Sequence, residues 1–160
     1  MKLGKFKEAK SFFEDALAMF YSFYGGEDAK NANIAVVLCS LANLSRSQRD
    51  FEASEEYYMK ALGMQFQLFG RDAQNASIAE TLHNIGILQQ DMKRPDTARI
   101  YHDKALQMMV GTIGADSSAH PLVHKIAHEL IKIEHYLSRE PGKCWLPLLG
   151  RRSKRTADFC

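Results

Sequence analysis

Apolar and small side chains recur every three or four residues along most of the chain, which is the spacing of a helical face packed against a core. The clearest stripes lie at Ile34, Val37, Leu38, Leu41 and Leu44, at Ser54, Tyr57, Tyr58, Ala61 and Leu62, and at Ile78, Leu82, Ile85 and Leu88. Short polar segments at 48–50 and 93–95 separate a stripe from the next. The pattern therefore predicts pairs of helices joined by tight turns.

This pattern repeats with a period of 44 residues. The decapeptide GEDAKNANIA (26–35) is written again as GRDAQNASIA (70–79), and a third Gly-x-Asp begins at Gly114. A second marker, an aromatic pair or near-pair followed by Ala-Leu, recurs at 12–17, 57–62 and 101–106. Two independent markers with one spacing indicate stacked repeat units. We therefore predict an all-α fold, a right-handed solenoid of antiparallel helix pairs with about six helices.

Small residues mark the places where the two helices of a pair are expected to approach each other. Ala42 and Gly86 lie on the first helix of the two full units, and Ser54 and Ala98 lie on the second helix, twelve residues later in each unit. Side chains of this size let two helix backbones come close together. We expect these four positions, and Ala61, to lie at helix–helix contacts.

A family resemblance rests on three segments of the chain. They are Leu82–Gly86 (LHNIG), Ala98 with Tyr101 and Ala105-Leu106, and the linking loop Leu68–Asp72 (LFGRD). These segments resemble the tetratricopeptide repeat in its longer variant of about 42 residues, the type found in kinesin light chains. His120-Pro121 is similar to the His-Pro that opens such units in light chains. The resemblance covers about residues 3–137 and implies an array of helix pairs that binds other proteins.

Residues 1–138 are predicted to form the repeat array, and residues 139–160 a flexible, basic C-terminal tail. The array comprises the second helix of one unit, two full units, and the first helix of another unit at about 121–138. An uncovered solenoid end exposes apolar surface. Two interpretations stay open: the chain is a fragment of a longer array, or Trp145–Leu149 folds back over the last helix.

Composition and charge indicate a soluble globular protein. Hydrophobic residues make up 46% and charged residues 25% of the chain, and no run approaches the length of a membrane span. We therefore expect a cytoplasmic protein with no membrane contact. Residues 139–160 hold six Lys and Arg against two Asp and Glu, whereas residues 1–138 hold fifteen against seventeen. The near-neutral array predicts no nucleic-acid binding. We interpret the basic run Arg151–Arg155 as a solvated tail, with nuclear import or an anionic surface as the alternative.

The sequence contains none of the motifs that would point to catalysis. It has no Gly-rich phosphate loop and no HExxH zinc motif. Its three cysteines form no CxxC pair and no disulfide framework. Cys39 lies in an apolar helical stretch, which predicts a buried and unreactive thiol. We therefore predict that the chain is not an enzyme and binds no cofactor and no metal.

Three histidines share one flank of the last predicted helix. His124, His128 and His135 are separated by four and seven residues, which returns them to nearly the same helical angle. We interpret them as a solvated helix flank. A pH-responsive or ligand-facing patch and a metal site are the alternatives.

The resemblance implies a concave groove, lined by the first helix of each pair, in which members of the family bind extended peptides. Mapped position by position, the groove residues are Ser40, Asn43, Arg46 and Ser47, then His83, Asn84, Gln90 and Asp91, and on or beside the last helix His128, Glu129, Lys132 and His135. Asn84 is the foremost candidate, because an amide both donates to and accepts from a peptide backbone. Ser40 stands at the matching position of the preceding unit.

These observations lead to two functional expectations. The first is a non-catalytic scaffold that binds a peptide or helix of a protein partner in its groove, with a kinesin-light-chain-like cargo adaptor as one subtype. Such a module is expected to act within a larger complex. The alternative is a regulatory or sensor segment of a larger signalling protein.

Overall fold

The computed structural model describes residues 2–26, 29–71, 73–113 and 120–138. These residues form six helices and no strand. The helices are α1 (Lys2–Tyr24), α2 (Ala32–Ser47), α3 (Phe51–Phe69), α4 (Ala76–Asp91), α5 (Pro95–Ile113) and α6 (Pro121–Ser138). The all-α solenoid of about six helices predicted from the sequence is confirmed.

The two full units have the same length and spacing. Helices α2 and α4 both contain 16 residues, and helices α3 and α5 both contain 19. Each helix of the second pair begins 44 residues after its counterpart in the first pair. Helix α2 packs chiefly on α3, and α4 packs chiefly on α5, so each predicted pair is a pair in the structure.

The first helices begin at equivalent capping residues. The side-chain oxygen of Asn31 accepts from the backbone N–H of Asn33 at 2.7 Å, and that of Asn75 accepts from Ser77 at 2.8 Å. At the start of α6 the Nδ1 atom of His120 accepts from the N–H of Leu122 at 3.1 Å. Each bond satisfies a backbone donor that the helix itself leaves unpaired. The repeated decapeptide is therefore a link between units, and His-Pro replaces Asn-Ala in the same role.

Helices α2 and α4 are each followed by a residue with a left-handed backbone conformation, which reverses the direction of the chain. Arg49 and Lys93 have φ angles of 64° and 62°. The next residue in each turn then donates its N–H back to the helix, from Asp50 to Ser45 at 3.0 Å and from Arg94 to Gln89 at 2.9 Å. Helix α5 begins directly afterwards at Pro95, whose missing N–H costs little in a first turn.

Small residues separate the helices of each pair, as the sequence predicts. Ser54 is fully buried and donates its hydroxyl to the carbonyl of Ala42 at 2.9 Å, which joins α3 to α2. In the next pair a methyl group on Gly86 would lie 2.6–2.8 Å from the His102 ring. Ala98 is also fully buried. The absence of a side chain at Gly86 therefore lets the imidazole of α5 lie against the backbone of α4.

A substitution at Ala61 tests the packing of α3 on α2. It is completely buried beside Ile34 and Leu38 of α2. We expect Ala61→Phe to lower the free energy of unfolding by about 1–3 kcal/mol, because a ring does not fit between the two helices. Urea denaturation followed by circular dichroism measures the change. Met59→Phe, on the exposed side of the same helix, is the control and should stay within about 0.5 kcal/mol of the wild type. An Ala61→Phe protein of unchanged stability would contradict the helix pairing.

Several sequence predictions concern residues outside those that the structure describes. They are Asp28, Asp72, Gly114 and Asp116 of the Gly-x-Asp elements, Trp145–Leu149, Arg151–Arg155, Cys144 and Cys160. The boundary between the array and the tail stays a prediction, although α6 ends at Ser138, where the predicted array ends.

Candidate partner-binding surface

The first helices present one solvated face at equivalent positions. Successive helices contribute residues 44 or 45 positions apart, and each of these side chains is exposed or half-buried. We call this face the first-helix surface. It consists of Val36, Ser40, Asn43 and Ser47 of α2, Glu80, Asn84, Ile87 and Asp91 of α4, and Lys125, Glu129, Lys132 and Tyr136 of α6.

Most of the residues predicted for the groove lie on this surface or at its edge. Ser40, Asn43, Ser47, Asn84, Asp91, Glu129 and Lys132 lie on it. Arg46, Gln90, His128 and His135 lie beside it, and none of them is fully buried. His83 alone is buried, with 5% of its surface exposed. The predicted residues therefore share one side of the array, apart from this histidine.

An ion pair ties the first two of these helices together. Arg46 of α2 donates from its Nη1 atom to the Oδ2 atom of Asp91 in α4 at 2.8 Å. The Nε atom of Arg46 is buried and has no hydrogen-bond partner among the described residues. Both side chains are partly exposed, so the pair adds little stability. The pair instead holds α2 and α4 in position relative to each other at the edge of the first-helix surface.

Other groove candidates already bond within the protein. The Tyr58 hydroxyl donates to the Oδ1 atom of Asn43 at 2.8 Å. Ser40 and Ser47 donate their hydroxyls to carbonyls one turn earlier in the same helix, at 3.0 and 2.9 Å. Asn84 has no such bond to a described side chain or backbone group. Its amide is therefore the polar group of α4 that is ready to bond to a partner backbone.

His83 points away from the surface and into the interface between α4 and α5. Its Nδ1 atom lies 3.1 Å from the Nδ1 atom of His102, and the two rings are tilted by 49°. Burial lowers the pKa of both imidazoles, and that of His102 falls to about 4. His83 was predicted to line the groove but is buried, because the missing side chain at Gly86 leaves room for the His102 ring beside it.

A cavity opens at the α6 end of the first-helix surface. Its volume is about 230 Å³, and its lining includes Gln90, Lys93, Pro95, Lys132, Ile133 and Tyr136. Two of these residues, Gln90 and Lys132, are predicted groove residues. Burial opposes ionisation of the neighbouring Glu129, but hydrogen bonds from Lys132 and Gln90 outweigh it and lower its pKa. The cavity therefore combines an apolar floor with two ammonium groups and a phenol.

The remaining candidates from the sequence are the three histidines of α6 and Cys39. His124, His128 and His135 are exposed along α6. Among the described residues no three His, Cys, Asp or Glu side chains are placed to hold a metal ion. The Sγ atom of Cys39 lies 3.4 Å from the hydroxyl of Thr81, and burial raises the pKa of the thiol. Cys39 is half-buried rather than fully buried, and a raised pKa favours its protonated thiol.

Sequence reasoning missed several residues of this region, among them Ile87, Tyr136 and Lys93. Ile87 lies 44 positions after Asn43, and Tyr136 lies 45 after Asp91, so the repeat spacing alone would have found both. An emphasis on polar side chains excluded them. Lys93 belongs to a turn and reaches the cavity because its left-handed conformation turns the chain back towards α6.

Comparisons with known proteins agree with this geometry. Residues 32–109, just under half of the chain, match the family model of the tetratricopeptide repeat. A search of curated proteins finds no match. Among solved structures, 34 chains match. One is the crystal structure of BtubC (BKLC) from P. vanneervenii, which is 22% identical, covers 98% of this chain and has a TM-score of 0.58. This chain spans 65% of the BtubC chain.

These findings agree on the fold. The matched segment covers α2, α3, α4 and most of α5, and the likeness to BtubC covers 98% of this chain. Residues 32–109 therefore match the repeats of the tetratricopeptide family, and the fold of the chain is similar to that of BtubC. Such repeats form scaffolds for interactions between proteins. In the described residues no helix is both long enough and apolar enough to cross a membrane.

Proposed function

We propose that this chain is a non-catalytic interaction module that holds an extended peptide or a helix of a protein partner on its first-helix surface. One observation carries the proposal. Residues from equivalent positions of α2, α4 and α6 form a continuous solvated face, and that face ends in a cavity of about 230 Å³. A cavity of this size accepts one or two side chains of a partner, and the rows of polar groups accept its backbone.

The surface is suited to binding because helices hold it in place. Its side chains project from three packed helices, and the Arg46–Asp91 pair fixes two of them relative to each other. A preformed surface loses little conformational entropy when a partner binds. Asn84 lies between Ser40 and Glu129 in the central row, where an amide can pair with the backbone of an extended peptide.

A kinesin-light-chain-like cargo adaptor is the subtype that the repeat length supports. In this proposal the chain acts in the cytoplasm as part of a larger complex, and residues 139–160 form a basic tail beside the array. The partner surface is contributed by all three first helices, so a partner engages the array across the units.

The experiment combines a photo-crosslinking residue with a matched control. A benzoylphenylalanine replaces Asn84 in one protein and Glu56, exposed on α3, in another. Crosslinked partners are identified by mass spectrometry from cell extract. We expect peptides of a common partner to be joined at position 84 and not at position 56. Asn84→Ala combined with Lys132→Ala should weaken capture of that partner about tenfold or more. Equal crosslinking from both positions would contradict the proposed surface.

An exposed apolar face on α1 favours the alternative function. Phe12, Met19 and Phe23 are 73%, 72% and 78% exposed, whereas Tyr57 and Met64 of α3, which lie 45 residues after Phe12 and Met19, are partly buried against the core. Large apolar patches of this kind usually lie in interfaces. We propose as the alternative that this chain works as a regulatory segment of a larger signalling protein, which covers α1. The coding sequence that flanks this chain tests this, because in-frame stop codons bounding the chain on both sides would rule it out.

A further inference from the structure

Two crevices lie on the opposite side of the array, between successive second helices. The first lies between α1 and α3, has a volume of about 480 Å³, and has Leu38 of α2 in its lining. The second lies between α3 and α5, has a volume of about 520 Å³, and has Leu82 of α4 in its lining. They share no lining residue with the cavity of the first-helix surface. The proposed groove function therefore leaves both of them unexplained.

The two crevices are copies of each other in the repeat. Lys60 and Met64 line the first, and Lys104 and Met108 line the second, each 44 residues later. Leu38 and Leu82 keep the same spacing. An aromatic ring from the preceding second helix completes each one, Tyr21 in the first crevice and Phe66 in the second. Each crevice thus offers an apolar floor beside a cation, and the array presents this combination twice.

The charges of both crevices have one sign. Lys30 and Lys60 line the first, and Arg71 and Lys104 line the second, whereas no acidic residue that the structure describes lines either of them. Lys60 is paired with Glu56 at 2.6 Å. Lys30, Arg71 and Lys104 form no ion pair within the described part of the chain. Cations without counter-charges attract a partner that brings carboxylates.

We propose that these two crevices form a second binding surface for an extended acidic peptide, in which each crevice takes one apolar side chain and the neighbouring cations take the carboxylates beside it. An extended chain advances about 3.3 Å per residue, so an apolar residue and a carboxylate repeated every three residues recur about every 10 Å along a peptide. A peptide with this repeat offers matching groups to both crevices. Simultaneous binding at two sites raises the overall affinity without any further contact.

The observations favour an acidic peptide over a nucleic acid. Residues 1–138 hold fifteen Lys and Arg against seventeen Asp and Glu, so the array lacks the general positive charge that holds a polyanion. The four cations that line the crevices lie beside the apolar side chains of Leu38 and Leu82. Met64 and Met108 are flexible and polarizable, and such side chains adapt to apolar groups of different shapes. Carboxylates next to apolar side chains match this arrangement, and a continuous phosphate backbone does not.

Fluorescence anisotropy with a labelled peptide tests the proposal. The probe is a short fluorescein-labelled peptide of Glu-Leu-Ser repeats, and the same peptide with Gln in place of Glu is its control. We expect the full chain to bind the Glu peptide at least about tenfold more tightly, with an affinity that falls as salt rises. Lys30→Glu combined with Lys104→Glu should weaken binding about tenfold or more. Lys30→Gln with Lys104→Gln gives a smaller loss without charge reversal.

Matched variants separate this surface from the first-helix surface. Lys93→Glu with Lys125→Glu makes the same charge change elsewhere and should leave peptide affinity within about twofold of wild type. Asn84→Ala with Lys132→Ala should also preserve it, whereas failure of the groove proposal appears only in the crosslinking experiment. Circular dichroism confirms that every variant is folded. Four results would overturn the proposal. They are no binding of the Glu peptide, equal binding of the Gln peptide, equal losses in both charge-reversal pairs, and binding of a labelled oligothymidine in place of the peptide.

Discussion

Tyr58→Ala is expected to lower the free energy of unfolding by about 3–5 kcal/mol, which is the usual cost of removing a large aromatic side chain from a core. Tyr58 has no exposed surface and is the largest of the fully buried side chains. It belongs to the main cluster of buried residues, together with Ala42 of α2 and Ile78 of α4. Its loss therefore leaves a cavity where α3 meets both neighbouring first helices.

The hydroxyl of Tyr58 contributes less than its ring. Burial raises the pKa of the phenol to about 12, so the group stays protonated and donates to Asn43. Tyr58→Phe keeps the ring and removes one hydrogen bond, and we expect it to cost only about 0.5–1.5 kcal/mol. Urea denaturation of the two variants separates the two contributions.

Tyr24→Ala provides the control for the loss of a tyrosine at the surface. Tyr24 is 41% exposed at the end of α1, and its removal should change stability by less than about 1 kcal/mol. A Tyr58→Ala protein that unfolds at nearly the same urea concentration as Tyr24→Ala would show that α3 does not pack between α2 and α4.

The fold could be predicted from the sequence because its local signals repeat. The stripe through Ile34, Leu38 and Leu41 and its copy 44 residues later place the first helices, and small residues at Ala42 and Gly86 place their partners. Caps and turns also recur, as Asn31 and Asn75 show. Each signal depends on neighbours only a few residues away in the chain, and the repeat confirms each signal by a second example.

The candidate surface could be predicted only in part, because the direction of a side chain depends on the helix opposite it. Position 83 was expected to face a partner, yet His83 turns inward. Its partner ring is His102, which stands where the preceding unit has Tyr58 and where Gly86 leaves space. That contact joins residues of two helices, so the sequence of either helix alone does not show it. The paired crevices were missed for the same reason, because each one combines three helices.

Opposite faces of one array give the two proposed surfaces different chemistry. The first-helix surface carries amide and hydroxyl groups among charges of both signs and suits the backbone of a partner. The crevices between second helices carry cations around apolar floors and suit its side chains. Because Leu38 and Leu82 line the crevices from first helices, both surfaces depend on the same helix packing. Variants must therefore be chosen from exposed side chains, so that one surface changes without the other.

Stability is expected to fall as the pH is lowered from about 6.5 to 4, and the buried histidine pair is the cause. Burial, together with the neighbouring His83, lowers the pKa of His102 from 6.5 to about 4. Burial also lowers the pKa of His83; Glu129 opposes this shift, whereas Lys125 adds a smaller lowering. Glu129 has a lowered pKa, so its own loss of stability begins only at the lower end of this range.

The sign follows from proton binding in the two states. Below pH 6.5 the histidines of the unfolded chain take up protons, whereas His102 of the folded protein stays neutral until about pH 4 and the pKa of His83 is also lowered. The unfolded state then binds more protons, so acid favours unfolding. One pKa unit corresponds to about 1.4 kcal/mol, so His102 alone accounts for about 3 kcal/mol across this range. Below about pH 4 its contribution to the slope ends.

Two variants identify the source of this slope when urea denaturation is repeated at several pH values. His102→Phe removes the titrating group and places a ring where Phe13 and Tyr58 stand in the other units, so it should flatten the dependence between pH 6.5 and 4.5. His124→Gln removes an exposed histidine of α6 and should leave the slope unchanged. A slope that persists in His102→Phe would assign the acid sensitivity to His83 or to the carboxylates. A flattened slope would show that the interface between α4 and α5 holds its histidines neutral, because protonating both rings leaves two donors facing each other at 3.1 Å.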